Sequence, residues 1–238
     1  MKKIVISLGG SVLVPSLESN NIGRYVSVLK RIAERCQIFI VVGGGGEARR
    51  YIRVARDLSA GEAAADELGI MVTRLNARLL LAGLGDAAYP RVAENYTEAR
   101  EFAETKKIVV MGGITPAQTT DAVSAVLAES VGADLLINAT SVDGIYSADP
   151  KKDASAVRYE HLTPQDLLDI ITRGRMDAGA NTVLDIVAGK VVERSGIPLL
   201  VLDGRDPENL YRAIVEGASV GTIVSRERPP PRLPGRGQ

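Results

Sequence analysis

The sequence predicts an α/β fold: a three-layer αβα sandwich around a mostly parallel central sheet. Three observations predict it. Short apolar runs rich in Val and Ile alternate with stretches whose apolar residues recur at helical spacing. The chain is 45% hydrophobic with two Phe, seven Tyr and no Trp, so its core must be Val, Ile, Leu and Ala, as a sheet covered on both faces favours. Three of the runs also end in paired glycines, and ligands of open α/β sheets bind beyond the carboxyl ends of strands.

The elements follow in order. Residues 3–8 read as a buried strand ending at Gly9 and Gly10. Ile22, Tyr25, Val26, Leu29, Ile32 and Ala33 place a helix over 20–35, with Cys36 at its end as a small buried hydrophobe. A strand at 38–42 runs into four glycines, and a helix covers 47–57. Ser59-Ala60-Gly61-Glu62 has capping-box spacing and opens a long helix to Gly83, kinked at Gly69. Its length and apolarity suit a subunit interface and ordinary core packing equally. Tyr89-Pro90-Arg91-Val92 reads as a short strand, 96–107 as a helix and 108–111 as a strand ending at Gly112 and Gly113. An alanine-rich helix over 121–131 precedes a strand at 134–139. Thr163 and Pro164 cap and open a helix ending near 173. A helix over 185–195 is closed by Gly196, before a strand at 198–202. Pro207 opens a helix to 216, and 222–224 is the last strand.

Composition excludes several function classes. Lys+Arg and Asp+Glu number 29 each, so no global field recruits nucleic acid or an anionic membrane. The one cysteine, Cys36, cannot form an internal disulfide, which suits a reducing compartment. The one histidine, His161, offers no metal cluster. The N-terminus lacks the shape of a signal peptide, and no apolar run approaches the roughly 18 residues of a membrane span. A cytoplasmic protein with small-molecule ligands is the expectation.

The chemistry gathers at the glycines. In Val41-Val42-Gly43-Gly44-Gly45-Gly46-Glu47-Ala48-Arg49 a strand feeds four glycines and then a helix, which exposes helix N-terminal N–H groups to an anion such as phosphate. Arg49 sits one turn in, where a guanidinium suits a second phosphate. The stretch also fits G-x-G-x-x-A, but no strand ending in an acidic residue follows about 20 positions on, which argues against a dinucleotide oxidoreductase. No G-x-x-x-x-G-K-[ST] occurs, so this is no P-loop. Gly112 to Asp121 offers backbone amides, three threonines and Gln118 before a helix, with Asp121 either capping it or orienting a cation. The loop 138–150 offers Thr140, Ser141, Tyr146 and Asp149 to a nucleoside, though an ordinary loop would look the same.

Taken together, Gly-Gly-Ser after the first strand, Val-Val-Gly-Gly-Gly, Met-Gly-Gly with Thr-Thr-Asp-Ala, and Val-Asp-Gly-Ile-Tyr with Asp-Pro resemble the amino acid kinase fold family. Within it the set is most similar to the archaeal-type UMP kinase branch. The resemblance implies a carbamate kinase-like fold over 1–226, one domain with an acceptor-binding N-terminal lobe and an ATP-binding C-terminal lobe. Residues 227–238 lie outside it, proline- and glycine-rich and expected to be disordered.

It also implies an activity, the phosphorylation of UMP to UDP by ATP with Mg²⁺, in a homohexamer arranged as a trimer of dimers. By the same likeness Gly9, Gly10, Ser11, Gly45 and Arg49 would face ATP phosphates, and Thr140, Ser141, Tyr146 and Asp149 its nucleoside. Gly44 would meet the UMP phosphate and Asp66 the UMP ribose. Ile114, Thr115, Pro116, Ala117, Gln118, Thr119 and Thr120 would wrap UMP. Lys190 would sit near the moving phosphoryl group, with Asp121 aligning it and Asp185 a weaker candidate. Two family lysines are absent: Ser7 stands in the first strand and Gly46 after the glycine run. The competing expectations are a kinase for isopentenyl phosphate or an acylated amino acid, and a non-catalytic nucleotide sensor.

Overall fold

A seven-stranded sheet in the order β3-β2-β1-β4-β6-β7-β5 organises the chain. The computed structural model describes residues 1–150, 153, 155–176 and 184–227, with the side chains of 173–176 left aside. The strands are β1 (Lys2–Leu8), β2 (Cys36–Val42), β3 (Val109–Met111), β4 (Leu135–Thr140), β5 (His161–Leu162), β6 (Leu199–Asp203) and β7 (Thr222–Val224). The pairs β1–β2, β2–β3, β1–β4, β4–β6 and β5–β7 are parallel, and β6–β7 is antiparallel. The expected sandwich with a mostly parallel sheet is therefore present.

The helices are α1 (Gly10–Leu13), α2 (Ile22–Ala33), α3 (Gly45–Asp57), α4 (Glu62–Leu84), α5 (Tyr96–Ala103), α6 (Thr120–Val131), α7 (Pro164–Met176), α8 (Ile186–Ser195) and α9 (Glu208–Tyr211). Two apolar layers flank the sheet. On one face Ile4, Ile6, Leu8, Ile38 and Ile40 pack with Leu29 and Ile32 of α2 and Leu80 and Leu84 of α4. On the other Val5, Phe39, Val41 and Val109 pack with Val123 and Leu127 of α6 and Val191 and Val192 of α8. Alternate residues of one strand thus enter opposite layers, as the two-residue period of a strand requires.

The structure corrects several boundaries. Residues 89–92 form no strand; single bridges Ala88–Ile108 and Ala93–Met111 flank them, and Pro90 has no N–H for a ladder. α5 stops at Ala103 instead of 107, where the Thr105 hydroxyl donates to Phe102 O at 2.7 Å and Lys106 turns left-handed at φ 58°. Gly61, not Ser59, is the N-cap of α4, while Ser59 closes α3 at φ 61°. α4 runs unbroken through Gly69, whose missing side chain admits Ile52 of α3: a Cβ there would lie 3.0 Å from the Ile52 Cδ1. Cys36 opens β2 instead of ending α2, and α9 passes into a π-helical turn at Arg212–Glu216. The expected disorder of 227–238 falls, but for Glu227, outside the described residues.

Among the described helices only α4 is long and apolar enough to cross a membrane by length and composition, and Arg74 and Arg78 interrupt its apolar residues. It is committed to the fold, packing against α3 and the sheet with Thr73 and Asn76 among its buried residues.

Candidate functional site

Register sets the site. Leu8 pairs with Val42 and with Ala139, Val41 with Met111, and Thr140 with Asp203. One step further along, Gly113, Gly43, Gly9, Thr140 and Asp203 stand in one row across five strands at the carboxyl edge. From β1 the chain moves outward to β2 and β3, then returns to place β4 on the other flank of β1. The strand order thus reverses between β1 and β4, the position where open α/β sheets bind ligands.

The centre of the row is bare backbone. Gly9 N–H donates to Ala139 O at 3.0 Å and Gly43 N–H to Leu8 O at 2.9 Å. A Cβ on Gly10 would fall 2.2 Å from Gly45 N and 2.5 Å from Gly43 O, so the loops after β1 and β2 touch main chain to main chain. Gly45 starts α3 at φ +65°, a conformation open to glycine at little cost. No side chain caps the N-terminus of α3, and its first N–H groups are left for a ligand. Ser11 lies exposed beside this floor, and Arg49 is exposed in the first turns of α3. The structure therefore brings together Gly9, Gly10, Ser11, Gly44 and Gly45, with Arg49 one turn into α3.

The loop after β3 is tied to α4. Asp66 Oδ2 accepts the N–H of Ala117 at 2.8 Å, with Ala117 at φ 63°. Thr115, Ala117, Gln118 and Thr119 are exposed, while Ile114, Pro116 and Thr120 are half-buried. Three residues absent from the sequence reading complete the tie. Thr73 Oγ1 accepts Gly113 N–H at 2.7 Å, Arg74 Nε donates to Gly113 O at 3.2 Å, and Asn76 Nδ2 donates to Gly43 O at 3.0 Å. The available signal was a Thr-Arg-x-Asn run inside an apolar helix, where unpaired polar groups would be costly.

Asp121 lies at the start of α6, directly over the end of β1. The Ser7 hydroxyl donates to its Oδ1 at 2.8 Å. Loss of solvent pushes the Asp121 carboxyl up to about 6; the Ser7 bond opposes this, and the charge of Asp185 adds to it. Thr119 caps α6 by accepting from Ala122 N at 3.1 Å and also donates to Asp185 Oδ2. Asp185 caps α8 through Val187 N at 2.7 Å and Ala188 N at 3.0 Å. The N-termini of α6 and α8 are thereby linked. Lys190 is not brought to Asp121: it lies on the exposed face of α8, its Nζ 3.5 Å from Glu193 Oε2.

Beyond β4 the side chains hold one another. The Tyr146 hydroxyl donates to Asp143 Oδ1 at 2.9 Å, and Arg158 reaches Asp143 Oδ2 at 3.1 Å. The Asp143 bond pushes the Tyr146 hydroxyl's pKa up. Thr140 ends β4, its carbonyl accepting Gly204 N–H at 2.7 Å, and Ser141 is exposed beside it. Asp149 O accepts Asp153 N–H at 2.9 Å, further along the same loop. Asp203 accepts from the Arg205 guanidinium at 2.7 Å, which holds its carboxyl below the usual range.

Fold and site together define a mostly parallel α/β protein with an uncapped helix N-terminus and bare glycine backbone at its sheet switch point. The chain belongs to the amino acid kinase family, whose family model matches residues 2–203. It is 87% identical to a uridylate kinase of Methanoculleus marisnigri over 95% of this chain and 97% of that one. A crystal structure of uridylate kinase from Archaeoglobus fulgidus superposes with a TM-score of 0.85 at 46% identity, covering 94% of this chain and 100% of that one. The UMP kinase of Bacillus anthracis, at 22% identity and a TM-score of 0.79 over 95% and 97%, shares the fold.

Proposed function

We propose that the chain transfers the γ-phosphoryl group of ATP to UMP, giving UDP for pyrimidine nucleotide synthesis. The observation that carries this reading is the 87% identity, over nearly the whole of both chains, to a protein named uridylate kinase. The geometry supports it: the bare backbone at Gly10, Gly44 and Gly45, just beyond the row, suits phosphates lying end to end.

The chemistry asks mainly for positioning and for neutralisation of charge on the moving group. Backbone N–H groups at the start of α3 and the Arg49 guanidinium would supply both to ATP. Gly44 and the loop 114–120 would seat UMP, with the remaining Asp66 oxygen on its ribose. Thr140, Ser141, Tyr146 and Asp149 would hold the ATP nucleoside. Lys190 would have to leave Glu193 to reach the phosphates, at little cost, since exposed ion pairs contribute at most about 1 kcal/mol.

Mg²⁺ is part of the proposal. Among the described residues no three His, Cys, Asp or Glu side chains group to form a metal cage. Mg²⁺ usually needs only one or two carboxylates beside substrate phosphates. Asp121 fits that demand, standing at the sheet edge with only Oδ1 taken among the described residues, by the Ser7 hydroxyl. It would hold the ion beside the ATP phosphates, where the ion would screen their charge.

The cytoplasm and a homohexamer built as a trimer of dimers complete the reading, with 1–226 as one two-lobed domain. Met71, Leu75 and Leu79 of α4 and Tyr51, Val54 and Leu58 of α3 are exposed on two helices that pack together, and such apolar surface suits a second copy.

The test is a coupled ADP-release assay across UMP, CMP, acetylglutamate and isopentenyl phosphate. UMP turnover of at least about 1 s⁻¹ with UMP preferred is expected. Faster turnover of another acceptor would overturn the substrate assignment.

A further inference from the structure

Thr73 and Asn76 are buried polar residues on the inner face of α4, 7% and 3% exposed, and Arg74 lies between them. What they do follows from the geometry of a trans peptide, in which C=O and N–H point in opposite directions. Asn76 Nδ2 lies 3.0 Å from Gly43 O and 3.3 Å from Gly44 O, so both carbonyls face α4. The N–H groups of those two planes belong to Gly44 and Gly45, and they face away from α4. Arg74 Nε holds Gly113 O at 3.2 Å and turns the N–H of Ile114 away in the same manner. Thr73 Oγ1 takes the Gly113 N–H at 2.7 Å while donating to Ile70 O at 2.6 Å, which fixes that loop against the helix. Among the described residues no backbone hydrogen bond outside helices and strands uses the N–H of Gly44, Gly45 or Ile114. Successive N–H groups turned one way form an anion-binding concavity.

The close fit of helix and loops is written into the glycines. A Cβ on Gly112 would lie 2.7 Å from Thr73 Oγ1 and 2.9 Å from Arg74 N, and one on Gly113 would lie 3.2 Å from Ile70 Cγ1. Side chains there would push α4 off the loops and separate Arg74 and Thr73 from Gly113.

We infer that Asn76, Arg74 and Thr73 are positioning residues: by holding the carbonyls and one amide of two glycine loops, they present Gly44 and Ile114 N–H to the phosphate of the acceptor nucleotide and Gly45 N–H to the ATP phosphate that meets it. The three side chains touch α4 and the loops, and act on the substrate through the peptide planes they orient. The naming of the acceptor rests on the kinase reading above; the orientation of the planes does not.

Asn76→Leu and Arg74→Met test this. Binding of UMP and of inorganic pyrophosphate is measured by calorimetry per mole of folded protein, beside KM and kcat. Asn76→Leu weakens both ligands at least about tenfold and raises the KM for UMP, and Arg74→Met does so to a smaller degree. Wild-type binding constants and KM in a variant with lowered thermal stability would make these side chains braces only and overturn the inference. Should Asn76→Leu fail to fold, Arg74→Met, whose side chain is 29% exposed, decides by the same readout. Wild-type protein that binds pyrophosphate in an Asn76-dependent way without phosphorylating UMP would retire the kinase reading and leave the inference standing.

Discussion

On the β1–β2–β3 side of the sheet edge the floor is bare main chain, whereas on the β4–β6 side it is built of side chains that hold one another. The first side places Gly10 against Gly43 and Gly45 and leaves helix N–H groups uncapped. The second is held by Asp143 with Tyr146 and Arg158, and by Asp203 with Arg205. The difference teaches where each side can tolerate change. A main-chain site depends on the absence of side-chain volume, so one methyl group can destroy it. A side-chain site loses only the group removed.

The largest expected effect comes from adding that methyl. Gly10→Ala should cost several kcal/mol, roughly 3 or more, and abolish turnover, because its Cβ would meet Gly45 N at 2.2 Å. Gly46→Ala, whose nearest neighbour would be Pro15 O at 3.5 Å, should stay within about 1 kcal/mol of wild type. Urea unfolding of the two variants settles the contrast; equal losses would show that the loops do not pack as described.

At the junction of the two sides, Asp121→Asn should lower kcat by about 100-fold while stabilising the fold at neutral pH. The folded-state pKa, about 6, lies above the ordinary value of 3.8. The folded protein therefore binds the proton more tightly than the unfolded chain. Its contribution to stability is full below 3.8, falls as pH rises through about 6, and is absent above. Unfolding at pH 4 and pH 8 should show wild type losing on the order of 1–3 kcal/mol that Asp121→Asn retains. A pH-independent difference would contradict the desolvated carboxyl.

Lys190→Ala should lower kcat about tenfold or more with little change in either KM, if the side chain leaves Glu193 during turnover. An unchanged kcat would return Lys190 to the protein surface. Asp66→Asn should raise the KM for UMP about tenfold and that for ATP much less, since Asp66 holds the acceptor loop through Ala117. Equal effects on both substrates would remove the ribose role. Smallest of all, Arg205→Ala should cost less than about 1 kcal/mol, because Arg205 is 65% exposed in its pair with Asp203. A larger loss, measured by thermal unfolding, would mean the side-chain half is as intolerant as the main-chain half.

The same contrast explains what could be read in advance. Gly9-Gly10 and Gly43 to Gly46 were legible because glycine pairs at strand ends have few other uses, and strand alternation with an aliphatic core left little choice of fold. Thr73, Arg74 and Asn76 stood out only as polar residues in an apolar helix; their role was not legible, since their partners are carbonyls and an amide 30 to 40 positions away that carry no residue code. Ser7 was visible as a missing lysine, but its bond to Asp121 spans 114 positions and appears only once β1 and α6 are stacked. The strand expected at 89–92 failed for a local reason, Pro90, and α5 ended early where Lys106 turns left-handed.

A crystal structure with UMP and a non-hydrolysable ATP analogue bound together tests the central claim most directly. The account predicts phosphate oxygens within about 3 Å of the N–H groups of Gly44 and Gly45, on the side facing away from α4. Phosphates seated elsewhere on the molecule, with those N–H groups left to water, would contradict it.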